Sequence, residues 1–254
     1  MVTAQKIFDL LFSYEKQSSL VNKKVLYQTT LEAVDRGQID FFIFSCLATK
    51  RDREELIVNF FKTLFFDGGT KIISRKFKKV VQITQELESL GMVVNIFPIL
   101  SDTEPKRTWG WKLPQDELSI ACEIMVEQSQ NSDLIPKNWC PKLWSEIELG
   151  YDNDWNFFCN ILNWVRSNGK HQFRVREQIR CLAKFSDRYY FPLGLEETAI
   201  RQVASYAFEG MVFQDKFPGA ILLQSEYPPS EKDVLYNLLR NQKRPLTILH
   251  PFND

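Results

Sequence analysis

The sequence predicts an α/β protein with a Rossmann-like, mostly parallel sheet flanked by helices. Short and wholly apolar segments recur along the 254 residues, and segments with helical periodicity lie between them. Buried parallel strands are typically continuous apolar runs, and strands that alternate with helices build parallel sheets. The two observations together indicate this fold class, within a single domain that spans residues 1–254.

The predicted strands are apolar runs of the kind found at the centre of a parallel sheet. They are Asp40–Cys46, Met92–Leu100, Ala220–Leu223 and Leu246–Leu249, with Lys71–Ile73 as a shorter candidate. The predicted helices repeat apolar residues at the i, i+3, i+4 spacing of a buried face. They cover residues 1–36, a segment with Leu56 and Phe65 on its inner face, Arg75–Leu90, Asp116–Gln128, Gln172–Phe185, residues 195–212 and Glu231–Arg240.

Residues 131–170 interrupt this alternation of strands and helices. They hold four tryptophans and two prolines, which are Trp139, Trp144, Trp155, Trp164, Pro136 and Pro141. We predict that they form a helical, aromatic-rich insertion or cap on the main sheet. If the protein is a non-catalytic binding protein, this segment is the predicted partner surface.

Composition bounds the possible functions. The 32 Lys and Arg residues balance 32 Asp and Glu residues, so no global field attracts nucleic acid and any such contact needs a local patch. Five cysteines without a Cys-x-x-Cys pair are typical of a reduced, cytoplasmic protein with most thiols in its core. With only two histidines, no metal site is expected, and no apolar run is long enough to predict a membrane span.

Three common motifs are missing from the sequence: Gly-x-Gly-x-x-Gly, Walker A and Gly-x-Ser-x-Gly. Their absence leaves a dinucleotide site, a P-loop ATPase and an α/β-hydrolase without support, and no cofactor is predicted. Ser45 ends the first predicted strand, with no histidine obviously placed as its base. A serine nucleophile without such a base suits an already activated substrate, such as an ester with a good leaving group.

The stretch from Leu195 to Tyr227 is the main candidate site. Its helix places Ser205 and Glu209 opposite the apolar stripe, with Tyr206 on their flank, and Tyr227 follows the next predicted strand. These groups are predicted to converge on the edge of the sheet. The alternative is that Glu209 lies on a solvated helix face.

Three further segments are candidate binding elements. The helix that begins at Arg75 carries four cations in its first turn, Arg75, Lys76, Lys78 and Lys79, against the preference of the helix dipole. This placement indicates either an anionic partner, such as a phosphate backbone, or a solvated charge run. Arg174, Arg176 and Arg180 form a second basic patch. The loop Ser101–Trp111 follows a predicted strand and is either a ligand loop, with Asp102, Arg107 and Trp109 as substrate-binding residues, or a structural loop.

The order of these signals resembles the tRNA-dependent cyclodipeptide synthases. The similarity comprises the serine that closes the first strand, the basic helix ending in Leu87–Gly91, a helix with Ala121–Glu123 and Met125–Val126, and the stretch Ser205–Glu209 followed by Phe213, Asp215, Pro218 and Tyr227. The chain departs from the family pattern at Ile43, Ser205 and Met211, where the family has glycine, tyrosine and proline.

The resemblance implies a Rossmann-like fold and an aminoacyl-transfer activity. Ser45 would accept the aminoacyl group of an aminoacyl-tRNA, Tyr206 (or Ser205) and Glu209 would hold the ammonium group of the substrate, and Tyr227 would lie near the nucleophile. A small-molecule amino acid would be the second substrate. The alternatives are another Rossmann-like biosynthetic enzyme that modifies an amino acid or similar small molecule at the Asp102–Trp111 loop, or a non-catalytic binding protein.

Overall fold

The structure is a computed structural model that describes residues 3–15, 23–45, 75–103, 107, 115–131, 136–150, 155–184, 191–223, 235, 238 and 246–252. Several predictions lie outside these residues: the short strand Lys71–Ile73, the helix around Leu56–Phe65, and most of Glu231–Arg240. The predicted site residues Trp109 and Tyr227 also lie outside them.

The described helices match most of the predicted ones closely. They are α1 (Ala4–Ser13), α2 (Lys23–Arg36), α3 (Arg75–Ser89), α4 (Gln115–Gln130), α5 (Trp144–Ile147), α6 (Trp155–Ser167), α7 (Gln172–Lys184) and α8 (Leu195–Lys216), with a 3-10 turn at Gly169–His171. No described helix is long and apolar enough to cross a membrane.

The described strands form one parallel sheet. They are β1 (Gln38–Ser45), β2 (Val93–Leu100), β3 (Lys142–Leu143), β4 (Ile221–Leu223) and β5 (Thr247–Leu249), and their order in the sheet is β3-β2-β1-β4-β5. Every described strand pair is parallel. The prediction of a Rossmann-like parallel sheet flanked by helices is therefore confirmed.

The strand β1 lies at the centre of the sheet because it is apolar on both faces. Phe41 and Ile43 pack in a core layer with residues of α1, α2 and α3. Phe42 points to the other layer, where its ring centroid lies 4.5 Å from that of Phe213 and 4.6 Å from that of Phe217. A strand that buries both faces needs helices on both sides of the sheet.

The order of the strands creates a topological switch point. The chain passes from β1 outward to β2 and β3, then returns to the other side of β1 to form β4 and β5. Open α/β sheets of this order bind ligands outside the carboxyl ends of the strands, at the point where the direction reverses. Ser45 is the last residue of β1 and therefore lies beside this point.

The segment 131–170 contributes to the sheet as well as to the helical layer. It supplies the edge strand β3 and an isolated bridge between Trp139 and Ile96 of β2, in addition to α5 and α6. Trp144 begins α5 and is fully buried in the same core layer as α8. Part of the tryptophan content of this segment thus serves the core.

Candidate functional site

The helix α8 is buried around its whole circumference in its middle part. Every residue from Gln202 to Gly210 is buried, including Ser205, Tyr206 and Glu209. The amphipathic pattern placed Ser205 and Glu209 on the side of the helix opposite the apolar stripe. In the structure, that side contacts other protein segments instead of solvent. The alternative of a solvated face for Glu209 is wrong, since this residue is 2% exposed.

Arg107 is the centre of a buried polar network. Its Nε donates to Ser205 Oγ (2.9 Å) and its Nη2 to Glu209 Oε1 (3.1 Å). Its Nη1 donates to Thr103 Oγ1 (2.9 Å) and to Glu148 Oε2 (2.6 Å). We call these five residues the Arg107 network.

The two network residues on α8 are bonded to each other as well as to the arginine. Ser205 Oγ donates to Glu209 Oε1 over 3.2 Å, one turn further along α8. Arg201, one turn before Ser205, donates to the backbone oxygen of Arg107 over 3.4 Å. The guanidinium of Arg107 also lies 5.4 Å from the centre of the Phe208 ring, a distance at which a cation and an aromatic face attract each other.

The network lies toward the carboxyl edge of the sheet. Thr103 and Arg107 follow the carboxyl end of β2, and Glu148 follows β3 after the single helix α5. The helix α8 leads into β4 through a short turn, where Gly219 has the positive φ (88°) that glycine adopts without strain. The helix α8 therefore runs antiparallel to β4, and its middle part faces the carboxyl ends of the strands.

Burial makes the charges of the network strongly interacting. The side chains of Arg107, Glu148 and Glu209 are 5%, 1% and 3% exposed. Charged hydrogen bonds in such surroundings are shorter and stronger than neutral ones, and losing one partner leaves a buried charge uncompensated. The arrangement holds two carboxylates in fixed orientation around one guanidinium.

Residues from two regions that the sequence suggested as rival sites are therefore joined in one buried network. Arg107 was predicted as a residue of a ligand loop, and Ser205 and Glu209 as residues of a helical site, yet they bind each other directly. Glu148, which no motif or spacing distinguishes, completes the network. Asp102 lies beside it and has a structural contact, since its Oδ1 accepts from the backbone N–H of Ser145 in the first turn of α5 (2.9 Å).

The remaining predicted site residues are described only in part. Ser45 closes β1, but its side chain lies outside the described residues, as do those of Arg75 and Lys76 in α3. Lys78 is exposed, and the Lys79 ammonium lies 5.8 Å from the centre of the Tyr14 ring. Of the predicted phosphate-binding group, Lys79 thus has an aromatic contact within the protein.

A second buried pair joins two ionisable residues, Glu15 and His250, which no sequence pattern singled out. His250 directly follows β5, and its Nδ1 lies 3.2 Å from Glu15 Oε1, while its backbone N–H donates to Glu15 Oε2 over 3.0 Å. Both side chains are at most 1% exposed. No local signal links these residues, because the contact joins two ends of the described chain.

The cysteines correct one expectation from composition. Among the described cysteines only Cys122 is buried, whereas Cys140 is exposed and Cys159 and Cys181 are half-buried. Burial, followed by the charges of Asp102 and Glu123, raises the pKa of the Cys122 thiol well above its usual range. The described residues contain no group of three His, Cys, Asp or Glu side chains that could hold a metal ion.

No protein-family model and no curated protein sequence matches the chain, but solved structures do. Tyrosyl-tRNA synthetase from Archaeoglobus fulgidus, complexed with L-tyrosine, matches with 14% identity and a TM-score of 0.53, over 98% of this chain and 63% of the synthetase. PvcA from Pseudomonas aeruginosa matches with 12% identity and a TM-score of 0.51, over 98% of this chain and 83% of PvcA.

A cyclodipeptide synthase from Candidatus Glomeribacter gigasporarum, bound to Phe-tRNAPhe, matches less well. Its identity is 10% and its TM-score 0.35, over 85% of this chain and 89% of the synthase. This likeness is too low to support an assignment, so the specific resemblance to that family stays a prediction. The first two matches show that the chain has the Rossmann-like fold of tyrosyl-tRNA synthetase and PvcA, and that it spans less than two thirds of that synthetase.

Proposed function

We propose that this chain is an aminoacyl-transfer enzyme that takes an aminoacyl group from an aminoacyl-tRNA and joins it to a second amino acid. The main support is the buried Glu209 carboxylate, which Ser205 and Arg107 hold near the carboxyl edge of the sheet. This edge is where open α/β sheets bind ligands, and a carboxylate attracts an ammonium group more strongly away from water. A tyrosyl-tRNA synthetase complexed with L-tyrosine has the same fold.

In this proposal Glu209 binds the α-ammonium group of the substrate, and Tyr206, which is buried beside it on α8, shapes the same site. The hydroxyl oxygen of Ser45 attacks the ester carbonyl of the aminoacyl-tRNA. The ester bond to the ribose breaks, the ribose oxygen takes up the serine proton, and an acyl-serine forms. The amino group of the second amino acid then attacks this ester, forms the peptide bond and restores the serine.

The other predicted residues have binding roles in the proposal. The proposal assigns Tyr227 to the nucleophile, assigns Asp102, Arg107 and Trp109 to substrate binding, and assigns the cations of α3 to the tRNA backbone. The exposed ammonium of Lys78 is available for such a contact. Binding of this kind weakens steeply as the salt concentration rises.

The experiment is a transfer assay with total tRNA charged with a mixture of labelled amino acids. We expect a mass increase of one aminoacyl group on Ser45, found by intact-mass and peptide analysis, and a small labelled product that contains a peptide bond. Ser45→Ala should abolish both. If Ser45→Ala forms product at the wild-type rate, or if the wild type forms neither adduct nor product, the proposal is wrong.

Glu209→Gln tests the ammonium-binding role and has a matched control on the same helix. Glu197→Gln also removes a carboxylate from α8, but this one pairs at the surface with Arg166 and Arg201. We expect Glu209→Gln to raise KM and to lower kcat/KM by at least 100-fold, and Glu197→Gln to have little effect. Far-UV circular dichroism checks that both variants fold, and Tyr206→Phe provides a milder change in the same site.

A second candidate is an enzyme that modifies a free amino acid without tRNA. The observation that favours it is that Arg107, on the loop after β2 where this alternative places its site, is the centre of the buried network. Product formation from free amino acids in the absence of charged tRNA separates the two, and thermal unfolding in the presence of each amino acid tests binding at Arg107. At about 100 times its Kd a ligand adds about 2.7 kcal/mol of stability, and Arg107→Lys should reduce that gain if the free amino acid binds there.

A further inference from the structure

The outer face of α7 carries an excess of positive charge. Residues 170–184 contain five Lys and Arg residues and one Glu, in a chain whose 32 cations balance 32 anions. Helical spacing puts four side chains of α7 on one outward stripe, namely Phe173, Arg176, Arg180 and Lys184. We call this stripe, together with Arg174 on its flank, the α7 face.

The buried inner side of α7 shows where the α7 face lies in the fold. Val175, Gln178 and Leu182 are buried and lie on the inner side of the helix, where α7 packs against α8. Gln178 donates a hydrogen bond to Gln202, three residues before Ser205 of the Arg107 network. Since packed helices lie about 8–10 Å apart, the α7 face is one helix layer away from the network.

An aromatic ring lies exposed among the cations of this face. Phe173 is 52% exposed, and the Arg174 guanidinium lies 5.4 Å from the centre of its ring. Arg180 has a side chain that is 72% exposed and pairs with Glu177 over 2.6 Å. Arginines beside an exposed aromatic ring provide phosphate contacts and a stacking surface for a base, the two elements of single-stranded nucleic-acid binding.

We infer that the α7 face binds RNA, with its arginines on the phosphates and an unpaired base stacked on Phe173. The inference extends the proposed function, because an aminoacyl-tRNA donor needs a surface for its RNA near the site. Anionic membrane is the poorer fit, since the larger apolar side chains of α7 other than Phe173, namely Val175, Ile179 and Leu182, pack inward and leave one ring to enter a bilayer. Sequence-specific RNA readout depends on such unstacked bases.

The test measures binding of a fluorescein-labelled, mixed-sequence 12-nucleotide RNA to the full chain by anisotropy between 50 and 200 mM KCl. We expect the double variant Arg176→Gln/Arg180→Gln to lower the slope of log affinity against log salt by about 1.4, which is two phosphate contacts on a single strand. Phe173→Ala should weaken binding roughly 5- to 150-fold, and Phe173→Trp should preserve it. The matched control, Lys6→Gln/Lys24→Gln, removes two exposed cations from α1 and α2 and should leave the affinity within twofold.

Three results would overturn the inference. These are no RNA binding by the wild type, equal loss in the α7 variants and the control, and sedimentation with phosphatidylserine vesicles that depends on Arg176 and Arg180 while RNA binding does not. The outcome is independent of catalysis. If Ser45→Ala and Glu209→Gln leave activity unchanged while the α7 variants lose RNA, the proposed function fails and the RNA surface stands.

Discussion

Replacing Arg107 by methionine is the sharpest test of the Arg107 network. Methionine keeps much of the side-chain length but removes the charge and all the donors that reach Ser205, Glu148 and Glu209. Breaking a buried ion pair by removing one partner costs about 3–5 kcal/mol. In a chain of this size, 1 kcal/mol shifts Tm by about 2–4 °C, so we expect a Tm lowered by roughly 6–20 °C.

The assay is urea unfolding followed by tryptophan fluorescence, with calorimetry for Tm. Arg166→Met is the matched control, because Arg166 has a 41% exposed side chain and pairs with Glu197 at the surface. An exposed pair contributes at most about 1 kcal/mol. The triple variant Arg107→Met/Glu148→Met/Glu209→Met removes every charge together and should recover most of the loss, since apolar replacement of a buried ion group is often neutral.

This prediction is contradicted if Arg107→Met unfolds within 1 kcal/mol of the wild type at the same m-value. It would also be refuted if the triple variant were as unstable as the single one, because the cost would then come from packing and not from uncompensated carboxylates. The first result would mean that the network contributes little to the stability of the described fold, and the second that its contribution is not electrostatic.

Two further predictions concern single groups. Burial, then the charges of Arg174 and Lys170, lower the pKa of His171, so the unfolded chain binds a proton at higher pH than the folded protein does. The stability that depends on this group is therefore full above the ordinary pKa of about 6.5 and falls as the pH drops below it. The variant His171→Phe, which keeps an aromatic contact with Trp164, should remove this dependence in urea unfolding measured from pH 7.5 to 5. In the native protein at pH 7.5, iodoacetamide should modify Cys140 and leave Cys122 unmodified, because the thiolate is the reactive form and burial disfavours it. Peptide mass spectrometry measures the labelling of both cysteines. Labelling of Cys122 at the rate of Cys140 would contradict the prediction.

Periodicity predicted the elements of the fold well because it reports local burial. The run Asp40–Cys46 predicts a strand that is observed as Gln38–Ser45, and Arg75–Leu90 predicts a helix that is observed as Arg75–Ser89. The short strand Lys142–Leu143 was hidden inside the tryptophan-rich segment. Two residues at a sheet edge are too few to produce a period.

The site was predicted only in pieces because its contacts are non-local. Ser205 and Glu209 are four residues apart, and helical spacing alone brings them together. Arg107 lies about 100 residues before them, and Glu148 about 40 residues after Arg107. Charged residues are usually exposed, so nothing in the local pattern indicated that Glu148 or Glu15 would be buried with a partner.

The placement of β1 in the sheet has a consequence for synthesis of the chain. Its pairing with β2 joins residues about 55 positions apart, but Phe41 pairs with Ile221, about 180 positions later. Until Ile221–Leu223 has left the ribosome, one edge of this central strand has no described neighbour to cover it. Because distant pairings form slowly and uncovered strand edges associate with one another, nascent chains that stop before β4 should be the form of this protein that most needs a chaperone.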